Sequence, residues 1–575
     1  MTSIKLTDLF SFAWSYTNSR VVDYYRHYFS EVCTVTTKSG PVKGFKIASA
    51  FDYRYINFIG IPYAKPPVGE LRFKDPQPFE PSTEIINQQF GRGGSLACQA
   101  DLISQRSIGN ENCLHLSVYT RDIKPQTLKP VMVWIHGGAF ILGSNSKDFY
   151  NPEFLLRKDV VLIAVNYRLG AFGFSSFKDP ELGIPGNAGL KDQTMALKWV
   201  KENCMHFGGD PKNITIFGES AGSASVSLHL ISDMSKGLFH KAILMSGTAY
   251  APWALSPVKD WTQRIAKKLG WNGEGGEKAC ANVLQRASHD AIIKVQESTL
   301  TLEDRKKYIL CPFGPVVEPY ESAQCFLKKD PKELAQIAWS KDVPMIMGTC
   351  SEEGLLFYKM TMKKPSLLQK LKLEYTLPFH ELDVDFDSDQ AREMGKQLKK
   401  FYFGYSAISV ETIFVYLMIL NDKLFAHPTH RLILARTKSQ SAPTYLLRFN
   451  FDSTYSLTKK IFAGRNIPGV CHADDCSYYF RSVFAGSDPA CNSTEWKTME
   501  RMTETFTTFA RTGDPNNETI APIQWKPVSL DASDKNVNKY KCLNISTDVS
   551  YIDWPELDRM QYWDHIYKKF NRSVV

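Results

Sequence analysis

The five residues Gly218-Glu219-Ser220-Ala221-Gly222 constrain the fold of this chain more tightly than any other stretch. They follow the β-branched run Ile214-Thr215-Ile216 and open onto Ser223-Ala224-Ser225, small residues that can continue as a helix. A strand that reverses into a helix within one sharp turn leaves no room for side chains at Gly218 and Gly222. It also drives the Ser220 hydroxyl out over the sheet edge. The pattern alone is common, so its surroundings decide. Residues 130–136 and 160–166 are near-continuous apolar runs, as in parallel strands covered on both faces. Leu190, Met195, Ala196 and Trp199 predict a helix between 186 and 207, and residues 32–60 alternate in strand fashion around Ser39-Gly40-Pro41. Further strands are expected at 343–347 and 444–449, with helix-rich segments over about 255–340 and 355–435 capping the sheet. Strand–helix alternation of this kind predicts a doubly wound α/β core. At 575 residues the chain exceeds the usual length of one domain. Large α/β sheets with long insertions nevertheless run as one, and a single domain is expected over 31–575.

A formal charge of +9 is spread over 69 basic and 60 acidic residues, with no basic run longer than pairs such as Lys363-Lys364. That argues against nucleic acid as a partner. Within residues 1–30, Lys5 and Asp8 interrupt any signal-peptide pattern, and no stretch of the chain has membrane-spanning length. Leu6, Leu9, Phe10, Ala13 and Tyr16 instead form one helical stripe. An amphipathic helix lying on a membrane surface and a helix packed on its own domain read equally well. Twelve cysteines without a Cys-x-x-Cys pair or a Cys/His cluster predict reduced thiols and no metal. The expected location is intracellular, either cytoplasmic or peripherally membrane-associated.

A serine hydroxyl is a weak nucleophile until a base, an orienting carboxylate and oxyanion donors surround it. In a strand–turn–helix context the donors come from an earlier strand-to-helix loop, and acid and base follow the serine in the chain. His136-Gly137-Gly138-Ala139-Phe140 closes the strand that begins at Val131, where such a loop belongs. Past the expected 343–347 strand lies Glu352-Glu353-Gly354, and past the 444–449 strand lies Gly469-Val470-Cys471-His472-Ala473-Asp474-Asp475. Spacing does not separate Glu352 from Glu353, and a loop histidine is by itself ordinary.

Longer segments add a resemblance. Gly186-Asn187-Ala188-Gly189-Leu190-Lys191-Asp192-Gln193, Phe207-Gly208-Gly209-Asp210-Pro211, the Ser220 pentapeptide, Gly60-Ile61-Pro62-Tyr63-Ala64 and Glu111-Asn112-Cys113-Leu114 are similar to the carboxylesterase/cholinesterase (type-B) family. Matching segments span about residues 32 to 570. The segments 313–320 and 469–474 most resemble insect α-esterases. The resemblance implies an α/β-hydrolase fold and a cofactor-free serine esterase acting on small-molecule esters, in a family of detoxifying organophosphate targets. It assigns Ser220 as nucleophile, Glu353 as orienting acid, since the family sets the acid directly before the glycine, and His472 as general base. It places the oxyanion hole on the N–H groups of Gly138, Ala139 and Ala221, with Ala139 replacing the commoner third glycine. It lines an apolar pocket with Trp253, Leu310, Cys311, Leu356 and Phe425. It also implies structural ion pairs Arg72–Glu111 and Arg168–Asp192, and a disulfide Cys98–Cys113 that stays open in a reducing compartment. The loop between those cysteines lacks the tryptophan on which cholinesterases seat a quaternary ammonium. A juvenile-hormone-esterase-like hormone hydrolase is the closer rival, but Glu219 stands where that branch typically carries Gln and marks the general esterase branch. A non-catalytic, neuroligin-like binding protein is the rival of another class; the retained Ser220, Glu353 and His472 argue against it.

Overall fold

The structure is a computed structural model, and it describes residue 17 and residues 30–575 other than 87–95, 103, 258, 307–308, 311, 364–379, 383, 385–387, 530–538 and 571. The N-terminal stripe therefore lies outside the described residues.

One twelve-stranded sheet organises the chain, in the order β1-β2-β3-β6-β8-β7-β9-β10-β11-β12-β13-β14. At one edge β1 (Glu31–Thr37), β2 (Gly40–Ala48) and β3 (Arg54–Pro62) form an antiparallel meander that joins β6 (His115–Thr120). The short strands β4 (Gln99–Ala100) and β5 (Ser107–Ile108) pair apart from it. The parallel centre runs through β8 (Val161–Val165), β7 (Lys129–Ile135), β9 (Gly209–Glu219), β10 (Lys241–Met245), β11 (Met345–Cys350), β12 (Thr444–Phe449) and β13 (Lys541–Ile545). Antiparallel β14 (Val549–Asp553) closes the far edge.

Strand β7 shows why its sequence is apolar at every position. Val131, Val133 and Ile135 enter one core, while Met132 and Trp134 enter the core on the opposite face. The first face is covered by α1 (Ala188–Asn203) and α2 (Ala221–His229). The second packs Trp134 against Phe217 and Phe480, at centroid distances of 4.9 and 4.8 Å. There α5 (Thr494–Thr512) contributes Met499, Met502, Phe506 and Phe509. Between the two helical layers' chain segments lie α3 (Ile413–Asn421) and α4 (His427–Lys438), and α6 (Leu557–Lys569) follows β14. The expected strands and the 186–207 helix are all present, the helix starting at Ala188. No helix among the described residues is long and apolar enough to cross a membrane. Both expected ion pairs form: Arg72 Nε lies 2.7 Å from Glu111 Oε2, and Arg168 Nε 2.8 Å from Asp192 Oδ2.

Candidate active site

Strand β9 ends at Glu219, and Ser220 turns the chain into α2 with φ 57° and ψ −122°. Such a backbone costs a non-glycine residue about 1–3 kcal/mol and persists only where its neighbours hold it. Here the Ser220 N–H donates to the Met245 carbonyl of β10 at 2.9 Å, and the Ser220 carbonyl accepts from Ala224 N–H at 2.9 Å. Both flanking glycines are sterically required. A Cβ at Gly218 would sit 2.5 Å from the Gly222 carbonyl carbon, and one at Gly222 would sit 2.0 Å from the Ile135 carbonyl oxygen.

Facing this turn is the loop after β7. Gly138, Ala139 and Phe140 take φ of 113°, 54° and 60°, and a Cβ at Gly137 would lie 3.0 Å from Ser220 Cβ. The Gly138 and Ala139 amides donate to no group among the described residues. That of Ala221, the first residue of α2, belongs to the helix-end donors that have no intrahelical acceptor. These are the three N–H groups that the family resemblance assigns to an oxyanion hole. His136 is held beside them by stacking on Tyr167 (4.5 Å, 18°), and burial pushes its pKa down to about 4, so it stays neutral.

The expected acid, Glu353, follows the end of β11, and the expected base, His472, lies in the loop beyond β12. Glu353 Oε2 lies 2.5 Å from His472 Nδ1, and its Oε1 accepts from Cys350 N–H at 2.8 Å. Asn421 Oδ1, at the end of α3, accepts the Glu353 N–H at 2.8 Å. Glu352 faces elsewhere: its Oε2 accepts the Val470 N–H at 2.7 Å. Spacing could not separate the two carboxylates; their directions do.

The second ring nitrogen carries the main surprise. His472 Nε2 lies 3.0 Å from Glu219 Oε1, and no hydrogen bond joins it to Ser220. The imidazole is sandwiched between two buried carboxylates. Burial lowers its pKa, but Glu219 and Glu353 together carry it well above the ordinary histidine value. Burial in turn raises the Glu219 carboxyl against the pull of His472. Asp475 is a third buried acid in the same neighbourhood, pushed up to about 8 by burial and then by Glu219 and Glu353. In the sequence Glu219 reads only as a branch marker. Its place one residue before Ser220, at the end of a strand, was the available signal for a second partner to the base.

The apolar wall is built by an irregularity in a helix. Residues Asp422–Ala426 form one π-helical turn between α3 and α4, a feature that often marks a functional site. It lays the Phe425 ring on His472 (4.6 Å) and brings it 5.9 Å from Trp253, whose Nε1 donates to the Leu424 carbonyl at 2.9 Å. A Cβ at Gly247 would lie 3.0 Å from the Trp253 ring and 2.4 Å from the Ser220 carbonyl oxygen, so Trp253 borders the elbow. Leu310 and Leu356 are half-buried against the same core, and Cys311 lies outside the described residues. Cys98 and Cys113 are buried free thiols that line one small cavity. Among the described residues no His/Cys/Asp/Glu group could hold a metal ion.

The model of the carboxylesterase family matches residues 31–563. The chain belongs to the carboxylesterase family. This carboxylesterase is 39% identical to Esterase B1 of Culex pipiens, over 93% of the chain and 98% of that protein. It is 33% identical to the juvenile hormone esterase of Tribolium castaneum, over 93% of the chain and 95% of that protein. A solved juvenile hormone esterase from Manduca sexta, with OTFP covalently attached, superimposes with a TM-score of 0.80 at 30% identity, covering 94% of this chain and all of that one. Family and fold make this chain an α/β-hydrolase and a carboxylic-ester hydrolase of small-molecule esters. The non-catalytic reading falls away.

Proposed function

We propose that this carboxylesterase hydrolyses apolar carboxylic esters through Ser220, His472 and Glu353, by way of an acyl-enzyme on Ser220. The observation that carries the reading is the buried 2.5 Å Glu353–His472 contact beside a serine held in a strained turn. Glu353 fixes the imidazole with its proton on Nδ1, leaving Nε2 as the base. With substrate seated, Nε2 exchanges Glu219 for the Ser220 hydroxyl, since catalytic hydrogen bonds tighten in the Michaelis complex. Ser220 Oγ then attacks the ester carbonyl as its proton passes to His472 Nε2. The Gly138, Ala139 and Ala221 N–H groups take up the oxyanion; each such donor contributes about 3–4 kcal/mol to lowering the barrier. The imidazolium returns the proton to the departing alkoxide, and water repeats the sequence on the acyl-enzyme. Trp253 and Phe425, both buried, favour an aliphatic or aromatic ester over a charged one. Hydrolysis of a nitrophenyl ester series, with organophosphate labelling mapped to Ser220 by mass spectrometry, tests the assignment. Turnover with the label elsewhere would contradict it.

A further inference from the structure

A second cavity, of about 230 Å³, lies behind the turn that carries Glu353. At the ~30 Å³ that one water occupies in the liquid, it holds roughly seven or eight such volumes, the size of a small organic molecule. Its floor includes Gly354 and Asn421, and its mouth is framed by Phe414 and Met418, one turn apart on the outer face of α3. Those two side chains are 44% and 39% exposed, unusual for large apolar groups side by side, and Phe414 stacks on Tyr358 at 5.9 Å.

The polar side of the cavity restricts what can enter. Arg448 Nε donates to Glu556 Oε1 at 2.9 Å, and Arg559 Nε to Asp422 Oδ2 at 2.6 Å. Each guanidinium is thus already matched by a carboxylate, and a third carboxylate, Glu352, also lines the cavity with its Oε2 on the Val470 N–H, so an anionic head group would bring a charge without a counter-ion, which is costly in a buried site. Glu556, only 5% exposed, also lines the cavity, and its Oε2 has no hydrogen-bond partner among the described residues. A buried carboxylate oxygen without a donor is an unmet acceptor. The complement is a neutral head that donates one hydrogen bond, on a short apolar body that covers Phe414 and Met418.

We propose that this cavity is a second ligand site, distinct from the space over Ser220, for a small neutral apolar alcohol or phenol. The hydroxyl donates to Glu556 Oε2, and the carbon body packs against Phe414, Met418 and Leu355. The site abuts the Glu353 turn. A Cβ at Gly354 would meet the Leu417 carbonyl oxygen at 2.0 Å, so α3 rests directly on that turn, and Asn421 both lines the cavity and holds the Glu353 amide. Occupancy therefore stiffens the acid's support. Any resulting change in ester turnover rests on the triad reading above, but binding itself does not.

The test is photolabelling of full-length Ser220→Ala protein with a diazirine-bearing hexanol, followed by peptide mass mapping. Label is expected on the peptides carrying Phe414, Met418 and Pro555. Excess 1-hexanol should compete at least about tenfold better than hexanoate, a margin corresponding to ~1.4 kcal/mol. Met418→Trp, which fills the mouth from an exposed position, should abolish that label while leaving the thermal unfolding midpoint in place. Phe414→Ala serves as a second variant, expected to weaken labelling, should Met418→Trp fold poorly. Label confined to peptides of Trp253 and Phe425, labelling indifferent to both variants, or competition by hexanoate equal to that of hexanol would each overturn the proposal. Ser220→Ala separates the two readings, because it removes esterase activity without touching this cavity.

Discussion

Replacing Glu219 by Gln isolates the least expected contact in the structure. At 3.0 Å, a carboxylate and an imidazolium attract by about 5–6 kcal/mol at an effective dielectric constant of 20. Part of this is offset, because burial disfavours both charges and keeps the Glu219 carboxyl itself raised. Nearby opposite charges typically shift a pKa by about 1–3 units, or ~1.4–4 kcal/mol, and the lower end suits a carboxylate whose own pKa burial pushes up. The general base must be unprotonated to act. A partner that raises the His472 pKa therefore moves the acid limb of the kcat/KM profile to higher pH, and removing its charge moves that limb to lower pH. Glu219→Gln should shift the acid limb down by at least about one pH unit. Activity at pH 5–6 should rise relative to the plateau, even where the plateau falls. The apparent value belongs to the coupled Glu219–His472–Glu353 cluster rather than to one group. The assay is a pH series of initial rates on a nitrophenyl ester in buffers of constant ionic strength. An acid limb that stays put or moves to higher pH refutes the reasoning, whatever happens to the maximal rate.

Other substitutions test neighbouring parts of the site. Glu353→Gln, which removes the charge on Nδ1 while keeping the shape, should lower kcat on the order of 10³–10⁴-fold with little change in KM, read by steady-state kinetics. Gly138→Val, whose Cβ would sit 2.1 Å from the Leu142 carbonyl oxygen at φ 113°, should disable the donor loop; retained kcat would show that the loop is not used. Phe425→Ala removes the ring stacked on His472 and should destabilise the fold by about 3–5 kcal/mol in denaturant melts. Burial and the neighbouring Glu219 and Glu353 push the Asp475 pKa up to about 8 in the fold, whereas the unfolded carboxyl ionises near the ordinary aspartate value of about 3.9, so the native state binds the extra proton in between. Stability should fall as pH rises through that window, by several kcal/mol at most. Asp475→Asn should flatten the decline, and a variant melting profile as steep as that of the parent would contradict the assignment.

What was legible in the chain was local. The Gly218–Gly222 turn, the glycine-rich loop after β7 and the two-faced strand at residues 129–135 follow from steric limits and burial acting over a few neighbouring residues. These need no knowledge of distant partners. Glu352 and Glu353 show where that stops. Adjacent carboxylates are equivalent in spacing, and only the fold turns one toward His472 and the other toward the Val470 amide. The π-helical turn at Asp422–Ala426 is a second case, since helical periodicity carries no mark of one extra residue in a turn.

Glu219 divides the two kinds of information most clearly. The sequence by itself determined that a carboxylate precedes Ser220 at the end of a buried strand. It also determined the fold class, because continuous apolar runs can be satisfied only by a sheet covered on both faces. The tertiary structure alone decided that this carboxylate meets His472, because the loop bearing the imidazole comes from far along the chain and arrives through the packing of β11, β12 and the π-helical turn. Charge–charge energy depends on a few ångströms of separation and on exclusion of water, and both are set only when those elements close over one another.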